Sequence, residues 1–370
     1  MKKLIAISVV FALVAGTAFA VDLGGAVIGT VELLKGDNSE KGDDAPQVFS
    51  NGEFNRIRLE GSGANDDGTF GGWIRVDGAG GFSPEGYAWW KPHDIFKLTI
   101  GGNSDGFYGK EGYAGWMFYQ TACDSGVAKN GNVWGGGYDY VPWPALYRTA
   151  FYGGFGDNGL HLTLSPVEWA DVNIAIPFIS AGEDDTKEVF KQIHAQVDLK
   201  LDFGNIALTY RGQETYYTNS SAFYGYFNLG SVENLSLDVG IGFQLPKDDV
   251  NNPLAAGLAV KYDLGSFGFK VRGLFYIPLE DDANNAVLFD VLPYVGVSDT
   301  LRVFLSGGLA IDLADEARVA WHVNPYVEVG SEWGPKFLAG FQLWSNGNDW
   351  TGTTDKQVFW SVPIALMVSF

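Results

Sequence analysis

The sequence predicts an all-β chain, a transmembrane antiparallel up-and-down β-barrel of about eighteen strands, with sixteen as the alternative count. Three observations lead there. The chain opens with an export segment, the remainder alternates apolar and polar residues with period two in runs of about ten, and no later stretch is long and apolar enough for a transmembrane helix. The composition agrees, with 50 Gly, 12 Trp, 17 Tyr and 26 Phe, because aromatics suit strands and glycines suit tight turns.

The export segment comes first. Lys2 and Lys3 precede an apolar run from Leu4 to Val14, which passes into small residues and Ala18, Phe19, Ala20. That is the build of a secretory signal peptide cleaved after Ala20, and the run is shorter than the ~20 residues of a membrane span. The chain therefore divides into a signal peptide, 1–20, and a single barrel domain, 21–370. No cysteine stands at position 21, so a lipid anchor is not indicated, and Cys123, the single cysteine, excludes an intramolecular disulfide.

Removing residues 1–20 takes away two lysines and no acid, so the net charge of −20 becomes −22. Such acidity argues against nucleic acid as a partner. The acids bunch at Asp37 to Asp44, Glu183 to Asp185, Asp248 to Asp249 and Glu280 to Asp282, between apolar-patterned runs, where loops belong. His93, His161, His194 and His322 lack metal-ligand spacing, so neither a metal nor a cofactor is expected.

The alternation is clearest at the C-terminus. Trp360, Val362, Ile364, Leu366, Val368 and Phe370 share one face, and Ser361, Pro363, Ala365, Met367 and Ser369 the other. Upstream, Val319, Trp321, Val323, Val327 and Val329 oppose Arg318, His322, Asn324, Tyr326 and Glu328. Leu301, Val303 and Leu305 oppose Arg302 and Ser306, and Val197, Leu199 and Leu201 oppose Gln196, Asp198 and Lys200. Charges keep to one side. A soluble sandwich also alternates, but its strands are about half this length, and a dry core would charge several kcal/mol for each unpaired ion. Hydrocarbon facing lipid and polar side chains facing water fit both facts.

Strands are expected near 22–34, 52–62, 68–79, 84–91, 95–102, 159–165, 171–180, 189–203, 205–213, 221–230, 235–246, 253–264, 267–279, 286–297, 301–312, 318–330, 335–345 and 357–370. Short turns, such as Phe203 and Gly204 or Ser298 to Thr300, alternate with longer acidic ones, so short turns belong on the periplasmic side and long loops outside. Pro293, Pro325 and Pro363 fall inside expected strands, where each deletes a ladder hydrogen bond. Trp169, Trp333 and Trp344 stand near strand ends, as interface girdles do.

The ending, a terminal Phe370 with apolar residues at alternate positions before it, resembles the sorting signal of Gram-negative outer-membrane proteins. The segment Tyr87-Ala-Trp-Trp-Lys-Pro-His-Asp-Ile-Phe-Lys-Leu-Thr-Ile-Gly101 resembles the fourth strand, turn and fifth strand of general porins. The resemblance implies an outer-membrane location, insertion through the barrel-assembly machinery that reads Phe370, trimers, and a loop after the fifth strand that folds inward and narrows the bore.

Residues 102–158 stand where that loop would be. They lose the alternation and are rich in Gly and aromatics, among them Tyr108, Trp116, Tyr119, Trp134 and Tyr140. The alternative is that they hide two strands, Gly112 to Thr121 and Leu146 to Phe155. Folded inward, the loop would set Asp105, Glu111, Asp124 and Asp139 against a basic wall made of Arg56, Arg58, Arg75 and Lys97. Lys261, Lys270, Arg272, Arg302 and Arg318 form a second basic cluster. Opposed charges across a wet gap order water and favour small polar solutes. The bland alternative is pairing within the wall, since Glu60, Asp77, Asp198, Asp263, Asp290 and Asp312 share the polar faces.

The leading expectation is therefore a porin giving passive diffusion of small polar solutes and ions, embedded in the outer-membrane bilayer. A sugar-selective channel, using ring stacking in the constriction, and a structural or adhesive barrel without transport are the alternatives. An enzyme is not expected: no Gly-x-Ser-x-Gly occurs and no His carries a catalytic signature.

Overall fold

A computed structural model of the chain describes residues 20–37, 47–51, 56–78, 82–101, 159–177, 191–212, 221–245, 253–278, 285–313, 318–330, 335–345 and 358–369. Within these ranges some side chains, including those of Arg56, Arg272 and Arg318, lie outside the description. Twenty strand segments appear: β1 Ala20–Asp37, β2 Gln47–Asn51, β3 Arg56–Ala64, β4 Phe70–Gly78, β5 Phe82–His93, β6 Phe96–Gly101, β7 Gly159–Val167, β8 Ala170–Pro177, β9 His194–Leu201 and β10 Gly204–Arg211. The second half holds β11 Ala222–Leu229, β12 Leu235–Gln244, β13 Pro253–Asp263, β14 Phe267–Pro278, β15 Ala286–Gly296, β16 Leu301–Asp312, β17 Arg318–Gly330, β18 Lys336–Gly340, β19 Gln342–Ser345 and β20 Val358–Ser369. No helix among the described residues is long and apolar enough to cross a membrane.

All twenty lie in one sheet whose pairings are antiparallel, each strand beside its sequence neighbours. β2 and β3 both pair with β1, and β18 and β19 both lie between β17 and β20. Taking each such couple as one interrupted stave, the twenty segments occupy eighteen positions among the described residues. The ring shuts where β1 meets β20, from Ala26 opposite Ser369 to Asp37 opposite Phe359. Closure leaves no open edge, which is how a sheet satisfies its backbone groups inside a bilayer.

One end of the ring carries short turns at 65–69, 94–95, 168–169, 202–203, 230–234, 264–266 and 297–300. Their chemistry is local. Gly68 and Gly265 adopt φ of 67° and 79°, Asn65 Oδ1 accepts from Phe70 N at 2.8 Å, and Asp263 Oδ1 accepts from Gly265 N at 2.8 Å. The opposite end is where 102–158 leaves and returns, at Gly101 and Gly159, which pair with one another.

The two faces differ as the alternation requires. Leu23, Ile74, Leu208, Ile241, Phe275, Leu305 and Leu366 are exposed on the outside. Thr99, Asn173, Gln196, Asp198, Asn228, Asp238, Ser306, Asn324, Gln342 and Ser361 are buried on the inside. A soluble fold inverts this arrangement, because exposing so many aliphatic side chains to water forfeits about 1.5–3 kcal/mol apiece. Outward rings gather beside the short turns. Trp90 contacts Phe70 and Phe96, Phe203 contacts Phe227, and Trp169 is exposed in its turn, forming the girdle expected at a lipid interface.

The three prolines acquire a reason. The β15–β16 ladder has no pairing at Leu292 and Pro293. Pro325 lies where β18 and β19 part, and its carbonyl accepts from Phe341 N at 2.9 Å. Pro363 sits opposite Glu32, beside the β1 irregularity between Glu32 and Leu34. Each occupies a gap or distortion in a ladder, the place within a sheet where a missing N–H costs least.

Candidate pore lining

The inner wall is built in three sectors. In the first, β3 to β6, the register sets Arg58 opposite Asp77 and Arg75 opposite Glu60. Glu60 lies 3.5 Å from Arg58 Nε and 3.9 Å from an Arg75 nitrogen, so one carboxylate holds two guanidinium groups. Arg75 also stacks on Trp73 at 5.2 Å, and Trp73 stacks on Tyr87 at 5.5 Å. Lys97, on the next strand, sits 5.3 Å from the Trp89 ring centre.

The second sector, β7 to β12, is a hydrogen-bonded polar lining. Asp198 accepts from Asn173 Nδ2 at 3.0 Å and from Gln196 Nε2 at 2.7 Å, while Gln196 Oε1 accepts from Thr209 at 3.0 Å. Asp238 accepts from the Tyr226 hydroxyl and from Asn228 Nδ2. Asp171 accepts from Ser165 at 2.7 Å and pairs with Lys200 at 2.6 Å. Ladders of this kind hold buried carboxylates at an inner wall without exposing hydrocarbon to the bore.

The third sector, β13 to β20, combines charge with rings. Tyr294, Phe304 and Tyr326 are direct cross-strand partners. Phe304 and Tyr326 lie 4.6 Å apart and 2° from parallel. With Leu292, Leu338 and Ala365 they form an apolar cluster on the inner face. Around it, Lys261 pairs with Asp263 at 3.6 Å and Lys336 with Glu328 at 3.6 Å. Arg302 sits 5.9 Å from the Tyr294 ring centre. His322 Nε2 lies 3.4 Å from Ser306 Oγ, and both are buried in the wall with His194.

The residues expected from sequence to line the bore are thus placed as follows. Arg58, Arg75 and Lys97 share the first sector; Lys261, Lys270 and Arg302 share the third, where Lys261 faces Lys270 directly. By register Arg56 lies opposite Ile28, Arg272 opposite Asp290 and Arg318 opposite Asp312. An acid therefore stands directly across from Arg58, Arg75, Arg272, Arg302 and Arg318 alike. Asp105, Glu111, Asp124, Asp139, Tyr108, Trp116, Tyr119, Trp134, Tyr140 and Phe370 lie outside the described residues, as does Trp333. Sequence reasoning missed the neutral ladder of Asn173, Gln196, Thr209 and Asn228 and the internal ring stack. Alternation gave their face, but only the register brings them together.

No family model and no curated protein sequence matches the chain. Solved structures do. The anion-selective porin from Comamonas acidovorans superposes with a TM-score of 0.52 at 12% identity, covering 95% of this chain and 100% of that one. Outer-membrane expressed OmpT of Vibrio cholerae gives 0.51 at 12%, covering 95% and 98%. The outer membrane channel DcaP of Acinetobacter baumannii gives 0.51 at 10%, covering 96% and 98%. At such identities the likeness concerns architecture, and the closed antiparallel ring described above has the fold of the outer-membrane porins.

Proposed function

We propose that the chain is an outer-membrane pore through which small polar solutes and ions diffuse passively. One observation carries this reading: a sheet closed on itself, with hydrocarbon outside and ion pairs, amides and hydroxyls inside. Lipid is the medium that rewards the outer face, and a ring of this many staves is wide enough to keep an aqueous channel.

The remaining features follow from that reading. Residues 1–20 direct export and are removed, Phe370 engages the barrel-assembly machinery, and the mature protein assembles as a homotrimer. Residues 102–158 enter the bore from the rim where Gly101 and Gly159 pair, and their acids face Arg56, Arg58 and Arg75.

Liposome swelling with the purified, refolded protein tests the proposal. Swelling in small sugars is the expected result, and intact vesicles that do not swell would exclude transport. Neutralising Arg56, Arg58 and Arg75 together is expected to change single-channel conductance and ion selectivity; unchanged values would remove the constriction from the account.

A further inference from the structure

The inner wall contains one arrangement twice. Gly71 is the second residue of β4, Trp89 lies directly across from it on β5, and Lys97, the second residue of β6, sits over the Trp89 ring. Gly268 is the second residue of β14, Tyr294 lies directly across on β15, and Arg302, the second residue of β16, sits over the Tyr294 ring. In both, the ring covers the glycine. A Cβ added at Gly71 would come within 2.0 Å of the indole, and one at Gly268 within 2.5 Å of the phenol ring. Backbone, ring and cation are layered in the same order at corresponding strand positions, beside the short turns.

Lys97 and Arg302 differ from Arg58, Arg75, Lys200 and Lys261 in having no acid as ion-pair partner among the described residues. Glu60 takes Arg58 and Arg75, Asp263 takes Lys261, and Asp171 takes Lys200. Glu328 lies across from Arg302 but forms its ion pair with Lys336. Among the described residues neither Lys97 nor Arg302 has a carboxylate within ion-pair distance; each rests on a ring. A ring holds a cation in place without cancelling its charge, because the attraction comes from a quadrupole and not from a counter-ion.

β6 is the fifth position of the ring and β16 the fifteenth, so of eighteen positions the two lie nearly diametrically apart. We infer that Lys97 and Arg302 form an anion-attracting pair facing one another across the short-turn mouth, and that small inorganic and carboxylate anions are the solutes they favour. The inference rests on the pore reading and adds its ion preference. Two charges that have no ion-pair partner among the described residues raise, in confined water, the local concentration of counter-ions and lower that of co-ions. The short turns at this mouth carry exposed acids as well, among them Asp66, Asp67, Asp94, Asp202 and Asp299, so the pair acts against a negative rim lying within reach of the ~10 Å screening length at 0.1 M salt.

The test is the reversal potential of the full-length protein in a planar bilayer under a tenfold KCl gradient. In K97Q/R302Q the chloride-to-potassium permeability ratio is expected to fall about threefold, the loss of roughly half a thermal unit of potential at the mouth, because the anion and the cation respond in opposite directions. K97R/R302K is expected to keep the original ratio, which a merely structural role for the ammonium and guanidinium geometry would not ensure. A conducting K97Q/R302Q pore with an unchanged ratio would overturn the inference while leaving the pore intact. Absence of conductance in the unaltered protein would overturn the pore reading and this inference with it. If the double variant does not assemble, K97Q and R302Q are read singly, and an unchanged ratio in both is equally decisive.

Discussion

Trp89 lies flat on Gly71, its direct partner across β4 and β5, so closely that a methyl group in place of the glycine hydrogen would meet the ring at 2.0 Å. The glycine is therefore a seat for the indole. Gly71→Ala is expected to displace the ring and to destabilise the barrel by about 1–3 kcal/mol, the usual penalty of overpacking. Urea unfolding in lipid vesicles followed by tryptophan fluorescence reads both effects, and an unchanged midpoint with an unchanged spectrum would contradict the packing described.

Gln196 bridges Thr209 and Asp198, donating to the carboxylate and accepting from the hydroxyl. Gln196→Leu keeps the volume and deletes both bonds, leaving a buried carboxylate one donor short. A loss of about 1–3 kcal/mol is expected, again from the unfolding midpoint in vesicles. Asn173→Leu removes a second donor to Asp198, and the double variant should lose less than the two single losses added together, because both act on one carboxylate.

Leu305 faces outward midway along β16 and is exposed. Arginine there is expected to cost about 2–4 kcal/mol in a bilayer, as at the midplane of other barrels. In a detergent micelle, which deforms around the charge, the cost should be smaller. Equal stability of L305R and the parent in vesicles would mean that this row does not meet acyl chains.

Asp67, in the turn between β3 and β4, accepts from the Thr69 hydroxyl at 2.7 Å and from Thr69 N at 3.1 Å. These bonds hold its carboxyl below the ordinary carboxylate value, the side-chain bond contributing most. A depressed folded value means that the turn gains stability above the ordinary carboxylate pKa and loses it as pH falls through the folded value. Thr69→Ala should bring the Asp67 titration, read by NMR, back up towards the ordinary value; an unmoved titration would remove the hydrogen bond as its cause.

Much of the wall was legible in the sequence because period two is a backbone property. The expected strands at 301–312 and 318–330 coincide with β16 and β17, and the hydrophobic row of β20 faces outward as its alternation implies. The expected strand at 335–345 instead appears as β18 and β19, parted at Phe341, and that at 52–62 overlaps β3 alone, with β2 preceding it at Gln47–Asn51, since alternation says nothing of interruptions. Register was less legible. That Arg75 meets Glu60, or that Trp89 finds Gly71, depends on how far each strand slides along its neighbour, which turn geometry and packing decide together. The prolines were opaque for the same reason. Pro325 reads as an error in a strand until Phe341 is seen to interrupt the stave beside it.

The seam between β1 and β20 joins the two most distant parts of the sequence. Every other join can form as soon as its hairpin is made, but this one waits for the last dozen residues. A nascent wall is consequently a curled ribbon with two sticky margins, vulnerable to any other unfinished ribbon nearby. Its final stave acts as a clasp, and a chain shortened there would be prone to zip onto its siblings and clump.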